Sequence, residues 1–246
     1  MRIKIHLRGS GILPFDYHYH LGSALYHYMK LANEELSTQL HYSRRIKEYT
    51  FSEIMVPKRK IHKGKGIEIL DGYAYIIFTS PCKDYVEAVV TGLLDEPQLR
   101  VGNINFLIEQ VEVLPSVNTI WNTVHFKTLS PIVVTRRNAQ RKKEPVKPTD
   151  KDWYIILENN IKHGYEEFYG TRPRGRISIE PVNKIGLKTN KYEFPKEKGG
   201  AIHAVRGHFI FRGPPELIKF AYEAGVGERG AWGFGCLEVV NEHRKE

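Results

Sequence analysis

The chain has 246 residues, 41% of them hydrophobic, with 37 Lys and Arg against 28 Asp and Glu, a formal charge of +9 and a pI near 9.4. That length suits two domains of about 100 to 120 residues each, and so large a positive excess points to a polyanionic partner. No run approaches the roughly 18 apolar residues of a spanning helix, the start Met1-Arg-Ile-Lys-Ile-His-Leu-Arg8 alternates and is no signal peptide, and two cysteines, Cys82 and Cys236, give neither a disulfide framework nor a zinc spacing. A membrane partner is therefore not expected, and a reducing cytoplasm is.

In chain order, Arg2 to Arg8 alternates Ile3, Ile5 and Leu7 with Arg2, Lys4, His6 and Arg8, a half-buried strand with a basic outer face. Gly9 to Phe15 is a loop. Helical spacing begins near Tyr19, where Leu21, Leu25, Tyr28 and Ala32 share one face and Tyr26 lies on another flank. Asn33 then suits an N-cap, with Glu34 and Glu35 where the helix dipole favours acids. That second helix ends about His41, before the basic loop Ser43 to Lys47. Tyr49 to Val56 is a strand, Pro57 to Lys65 a basic hairpin tip, Gly72 to Ser80 a strand and Lys83 to Leu94 a helix. Leu99 to Val113 supplies one or two strands, and Pro115 to Asn122 a linker.

The second half repeats this order. Val124 to Thr135 is a strand broken near Pro131, and Arg136 to Lys151 a loop with seven Lys and Arg. Asp150 caps a helix running to about Tyr169, and Arg172-Pro-Arg-Gly-Arg176 is a basic turn. Ile177 to Leu187 and His203 to Arg212 are strands, Pro215 to Ala224 a helix, Cys236 to Val240 the last strand and Asn241 to Glu246 a frayed end. Two β-α-β-β-α-β halves result: an α+β chain of two tandem ferredoxin-like domains with antiparallel sheets, residues 1–120 and 121–246.

Between the last helix and strand stand five glycines in eleven residues: Gly225, Gly227, Gly230, Gly233 and Gly235. One glycine caps a helix. The surplus suits close backbone approach or a phosphate held on backbone amides. The basic segments supply candidate contacts to a polyanion in Lys58, Arg59, Lys60, Arg136, Arg137, Arg172, Arg174, Arg206 and Arg229. Taken singly, each charge run reads as a solvated surface. Fourteen tyrosines suit stacking on unpaired bases, although many serve the cores. His18 and His20 could share a strand-like face, but no third ligand follows at a metal spacing, so neither a metal nor another cofactor is expected.

The two ferredoxin-like halves and the Gly-x-Gly-x-x-Gly-x-x-Gly-Phe-Gly loop together resemble the repeat-associated CRISPR proteins (the RAMP superfamily) over nearly the whole chain. Leu-Gly-Ser-Ala-Leu-Tyr26, Gln-Leu-His41, Lys47 before Tyr49-Thr-Phe-Ser52, and Thr-Leu-Ser-Pro131 make it most similar to the archaeal endoribonucleases that cut precursor CRISPR RNA within each repeat. The resemblance implies an active site of Tyr26, His41 and Lys47, with the glycine loop and the basic residues holding single-stranded or weakly structured repeat RNA. It implies effector-complex proteins, or a second copy of the chain, as further partners. Metal-free cleavage by the ribose 2′-hydroxyl needs a base, an acid and a cation, roles that histidine and lysine fill. The products would be a 2′,3′-cyclic phosphate and a 5′-hydroxyl. The rival reading is a repeat-RNA binder or effector subunit without catalysis, which the Tyr26, His41 and Lys47 constellation separates from the nuclease.

Overall fold

A computed structural model describes residues 1–42, 48–115, 121–183, 186–193 and 201–240, with the side chains of 39–42 and 193 left undescribed. Lys47, the middle of the expected linker and the expected frayed terminus lie outside these residues. The chain divides into two compact units: Met1–Ser116 with Ala231–Gly233, and Val117–Gly230 with Phe234–Glu246.

The first unit runs β1 (Arg2–Arg8), β2 (Gly11–Leu13), α1 (His18–Ala32), α2 (Glu34–Tyr42), β3 (Thr50–Phe51), β4 (Arg59–His62), β5 (Gly66–Ile69), β6 (Tyr73–Thr79), α3 (Lys83–Asp95), β7 (Gln98–Val101) and β8 (Ile104–Val113). Its main sheet has the order β3-β6-β1-β8-β7. Without the edge strand β7, this is the antiparallel ferredoxin-like order, in which the first strand lies between the third and the fourth. The alternation of β1 sets the layering: Ile3, Ile5 and Leu7 are fully buried with Leu21 and Leu25 of α1 and Val86, Val89 and Leu93 of α3. Each such side chain contributes about 1.5–3 kcal/mol by leaving water.

The second unit continues β9 (Thr123–Thr128), β10 (Thr135–Arg137), β11 (Lys143–Pro145), α4 (Lys151–Tyr169), β12 (Ser178–Pro181), β13 (Lys188–Glu193), β14 (Ala201–Arg206), β15 (His208–Arg212), α5 (Pro215–Ala224) and β16 (Leu237–Val239); between α5 and β16 comes a 3₁₀ turn (Gly230–Trp232), of which Ala231 and Trp232 belong to the first unit. Its sheet, β12-β15-β9-β16, repeats the same order. Trp153 of α4 stacks on Phe209, with ring centroids 5.6 Å apart, and Phe126 stacks on Tyr222 of α5 at 5.8 Å. The caps fall where the residues predict them. Asn33 Oδ1 accepts from Leu36 N at 2.9 Å, Asp150 Oδ1 accepts from Asp152 N at 3.0 Å, and Gly170 ends α4 in the left-handed region.

Four local expectations are corrected. The Gly9 to Phe15 loop contains β2, which joins the basic hairpin in a separate sheet of order β2-β5-β4. Tyr49 to Val56 is a strand only at Thr50–Phe51, and beyond it meets β6 through Ser52 N donating to Ile77 O at 2.8 Å and a Met55–Tyr75 bridge. The basic stretch after Arg136 folds as the β10–β11 hairpin. The strand expected over His203 to Arg212 splits at Gly207 into β14, paired with β13, and β15, paired with β9 and β12, so that Ile177 to Leu187 keeps only β12 as a strand.

Candidate active site and RNA-contact residues

Tyr26 stands on α1, half-buried and packed against the first unit's core. The flank that helical spacing leaves polar is covered because α2 folds back along it. The Tyr26 hydroxyl donates to the Ser37 carbonyl at 2.9 Å, and Ser37, itself buried, lies one helical turn before His41. The bond therefore fixes the last turn of α2, which carries His41, against the middle of α1. A phenol that donates one hydrogen bond still has lone pairs to accept another. Tyr49 is buried close to Tyr26, and burial first, then the neighbouring phenols of Tyr26 and Tyr85, push its hydroxyl far above the usual tyrosine range. Ser37 is the site residue that sequence reasoning passes over; its i, i+4 relation to His41 is the available signal.

The candidate RNA contacts separate by what already holds their charge. Arg136 meets Glu144, Asp150 and Asp152 at 2.9, 3.2 and 3.4 Å. Arg172 meets Glu166 at 3.1 Å, and Arg206 donates to the Tyr192 hydroxyl at 2.6 Å. Lys58 is 3.6 Å from Asp71, while Arg59 and Arg137 donate to the carbonyls of Val56 and Arg141. Lys60 and Arg174 are exposed.

The glycine loop is shaped by its own chain. Gly225, Gly227, Gly233 and Gly235 have φ of +82°, +80°, +76° and +78°, where side-chain-bearing residues are strained. A Cβ at Gly235 would collide with the Val226 carbonyl, one at Gly227 with the Val133 carbonyl and one at Gly233 with the buried Phe51 ring. The amides of Val226, Glu228 and Gly235 donate to the carbonyls of Gly235, Val133 and Pro131 at 3.0, 2.9 and 2.8 Å. Those three amides are thus spent within the chain. Arg229 takes φ +65°, and burial holds its guanidinium below the usual arginine range against the opposing pull of Glu228. Among the described residues no three His, Cys, Asp or Glu side chains gather as a metal cluster, and no helix is long and apolar enough to cross a membrane.

The comparisons with known proteins cover both halves. The family model described as CRISPR-associated protein Cas6, N-terminal, matches residues 12–112, and that described as CRISPR associated protein Cas6, C-terminal, matches residues 114–239. The chain is 32% identical to the CRISPR-associated endoribonuclease Cas6 1 of Methanocaldococcus jannaschii, covering 100% of this chain and 95% of the relative. It is 31% identical to the CRISPR-associated endoribonuclease Cas6 of Pyrococcus furiosus, covering 95% of this chain and 86% of that one. A solved structure described as "An RAMP protein binding different RNA substrates" superposes with a TM-score of 0.87 at 27% identity, over 98% of this chain and 99% of the other.

Proposed function

The chain belongs to the Cas6 family of CRISPR-associated proteins, and on that premise we propose that it is the endoribonuclease that cuts precursor CRISPR RNA within its repeats to release guide RNAs. The activity named for the Methanocaldococcus jannaschii and Pyrococcus furiosus relatives, similar over 95% and 86% of their lengths, supports the reading.

The proposed reaction is metal-independent transesterification. The ribose 2′-hydroxyl attacks its own phosphate in line, its proton passes to a base, and the 5′-oxygen leaves with a proton from an acid. His41 serves in this proton transfer, because imidazole takes up and releases protons near neutral pH. Lys47 balances the extra charge of the phosphorane. Tyr26, with its own proton given to Ser37, accepts from the 2′-hydroxyl and aims it. The observation that carries this assignment is the Tyr26–Ser37 bond, which couples the tyrosine's position to the helical turn that bears His41. Repeat RNA is held by Lys58, Arg59, Lys60, Arg137, Arg172 and Arg174, with Arg136 contributing least because three carboxylates already surround it.

The test is cleavage of a repeat RNA in EDTA, beside a copy carrying 2′-deoxyribose at the scissile nucleotide. The reading requires that the RNA is cut and the deoxy copy is not. An intact RNA that is nevertheless bound leaves the chain as a repeat-RNA binder. Cleavage of the deoxy copy removes the 2′-hydroxyl mechanism.

A further inference from the structure

The first unit carries a groove that none of the candidate catalytic or RNA-contact residues lines. β8 is ten residues long, yet β7 pairs only with Ile104–Leu107 of it, and the last outward contact is Ile108 N donating to Pro97 O at 3.0 Å. On the other side β8 pairs with β1 to its end, and Leu114 N donates to Arg2 O at 2.9 Å. Bonded and non-bonded pairs alternate along an antiparallel ladder. Gln110 and Glu112 therefore bond to β1, while Val111 and Val113 turn their N–H and C=O groups to the outer edge. Among the described residues no strand pairs with that edge.

The side chains of the same two valines lie on the face that packs on α3, since they stand opposite Ile5 and Ile3. With Val90, Leu94 and Ile108 they line an open, mainly apolar groove of about 640 Å³. Leu94 is 73% exposed and Val113 62%, a concentration of apolar surface of the kind that marks an interaction site. Its lining side chains include two carboxylates, Glu87 and Glu109, and no Lys or Arg, in a protein of net charge +9, and Asp95 and Glu96 follow Leu94 directly; the ammonium of Met1, also a lining residue, is held by the Ser80 carbonyl at 2.6 Å. Lys83 and Arg8 reach Glu87 and Glu109 from outside the lining. Both pairs are solvent-exposed and weak, so an incoming cation competes for the same carboxylates.

We propose that this groove docks an extended segment of a partner protein, apolar at alternate residues and bearing Lys or Arg between them. The segment adds as a strand to the open edge of β8 where β7 stops. Main-chain bonds to Val111 and Val113 supply the pairing, and the apolar residues fill the space beside Leu94. Its Lys or Arg residues turn to the opposite face of the sheet, where Glu109 and Glu112 of β8 stand beside Arg8 and His6, and these carboxylates select cationic partners and repel RNA.

The probe is a capped Lys-Val-Lys-Val-Lys-Val-Lys peptide, with its Glu-for-Lys counterpart as control, titrated into the full-length protein while hydrogen exchange of the Val111 and Val113 amides is followed. The lysine peptide slows both amides and the glutamate peptide does not. Leu94→Asn weakens lysine-peptide binding about tenfold, a loss of about 1.4 kcal/mol, and leaves repeat-RNA cleavage unchanged. Absence of slowing, or equal slowing by both peptides, overturns the proposal. Slowing without peptide that rises with protein concentration, together with a dimer mass in sedimentation, overturns it in favour of a second copy of the chain.

Discussion

Tyr26 and Ser37 join two helices through one hydrogen bond, the tyrosine hydroxyl donating to the serine carbonyl at 2.9 Å. The acceptor is a backbone atom, so no exchange of the Ser37 side chain can replace it. The acceptor also belongs to the turn of α2 that precedes His41. A displacement of Tyr26 is therefore felt at the position that carries the proposed proton-transfer group, and the phenol's tie to Ser37 and its proposed hydrogen bond to the ribose become separable by experiment.

Tyr26→Phe removes the hydroxyl and keeps the ring. Loss of the bond to Ser37 costs about 0.5–1.5 kcal/mol of stability, read as a shift in the urea midpoint. If the phenol also aims the 2′-hydroxyl, the single-turnover cleavage rate falls by more than that energy explains, on the order of a hundredfold. A stability loss with an unchanged rate would leave Tyr26 as a tie alone.

His41→Ala is expected to lower the cleavage rate by roughly 10²- to 10⁴-fold while repeat-RNA affinity stays within a factor of a few. The same variant should flatten the rate–pH profile across roughly pH 5 to 8, the range in which imidazole changes charge. A residual rate that keeps the wild-type pH dependence would assign the titrating group elsewhere.

Tyr28, two residues beyond Tyr26, donates to the Gln98 carbonyl and ties α1 to β7. Burial first, and Glu96 second, raise its pKa from 10.0 to about 12. A folded-state value above the unfolded one means that its contribution is complete below pH 10 and is lost as pH rises through about 12. Alkaline unfolding curves should therefore steepen between those values, and Tyr28→Phe should remove that part of the slope.

Much of the fold was legible wherever one periodicity governed a whole element. From Ile3 to Arg8 β1 is buried as it alternates, although Arg2, expected on the outer face, is buried, and the four ferredoxin-like positions of each half follow from such stretches. What escaped was set by partners distant in the chain. β2 has three residues and owes its existence to β5. The β10–β11 hairpin carries charges on both strands, so no apolar alternation marks it. The flank of Tyr26 looked solvent-facing because a helical wheel does not contain the helix that packs on it. His18 is a further case: it lies 2% exposed, 3.3 Å from Glu53, at the start of helix α1, where the sequence alone suggests a strand-like face shared with His20. For the glycine loop the sequence leaves close packing and a phosphate cradle both open, since a surplus of glycine looks the same whether it admits an anion or the chain's own carbonyls.

The basic residues give a prediction that composition could not rank. Each phosphate neutralised on a single strand contributes about 0.7 to the slope of log K against log salt. Lys60, exposed on its hairpin, should lower that slope by about this amount when changed to Ala. Arg136→Ala should leave it nearly unchanged, because three carboxylates within 3.4 Å already balance the guanidinium. Equal effects of the two changes would mean that the carboxylate cage opens when RNA binds.

The glycine loop can be tested one position at a time. Gly235 combines φ +78° with a Cβ direction blocked by the Val226 carbonyl, a backbone atom held in place because Val226 N bonds back to Gly235 O at 3.0 Å. Gly230 opens the 3₁₀ turn and is not in the positive-φ region. Gly235→Ala therefore meets both the left-handed penalty of about 1–2 kcal/mol and a collision that only backbone movement relieves, for a total above about 3 kcal/mol. Gly230→Ala should cost less than about 1 kcal/mol by the same scale. Urea unfolding of the two variants reads the difference directly. If the loop's purpose were to hold phosphate, Gly230→Ala and Gly235→Ala would both weaken RNA binding at undiminished stability. If the glycines serve close packing of the chain on itself, Gly235→Ala loses stability first, and RNA binding and cleavage fall only to the extent that the folded fraction does.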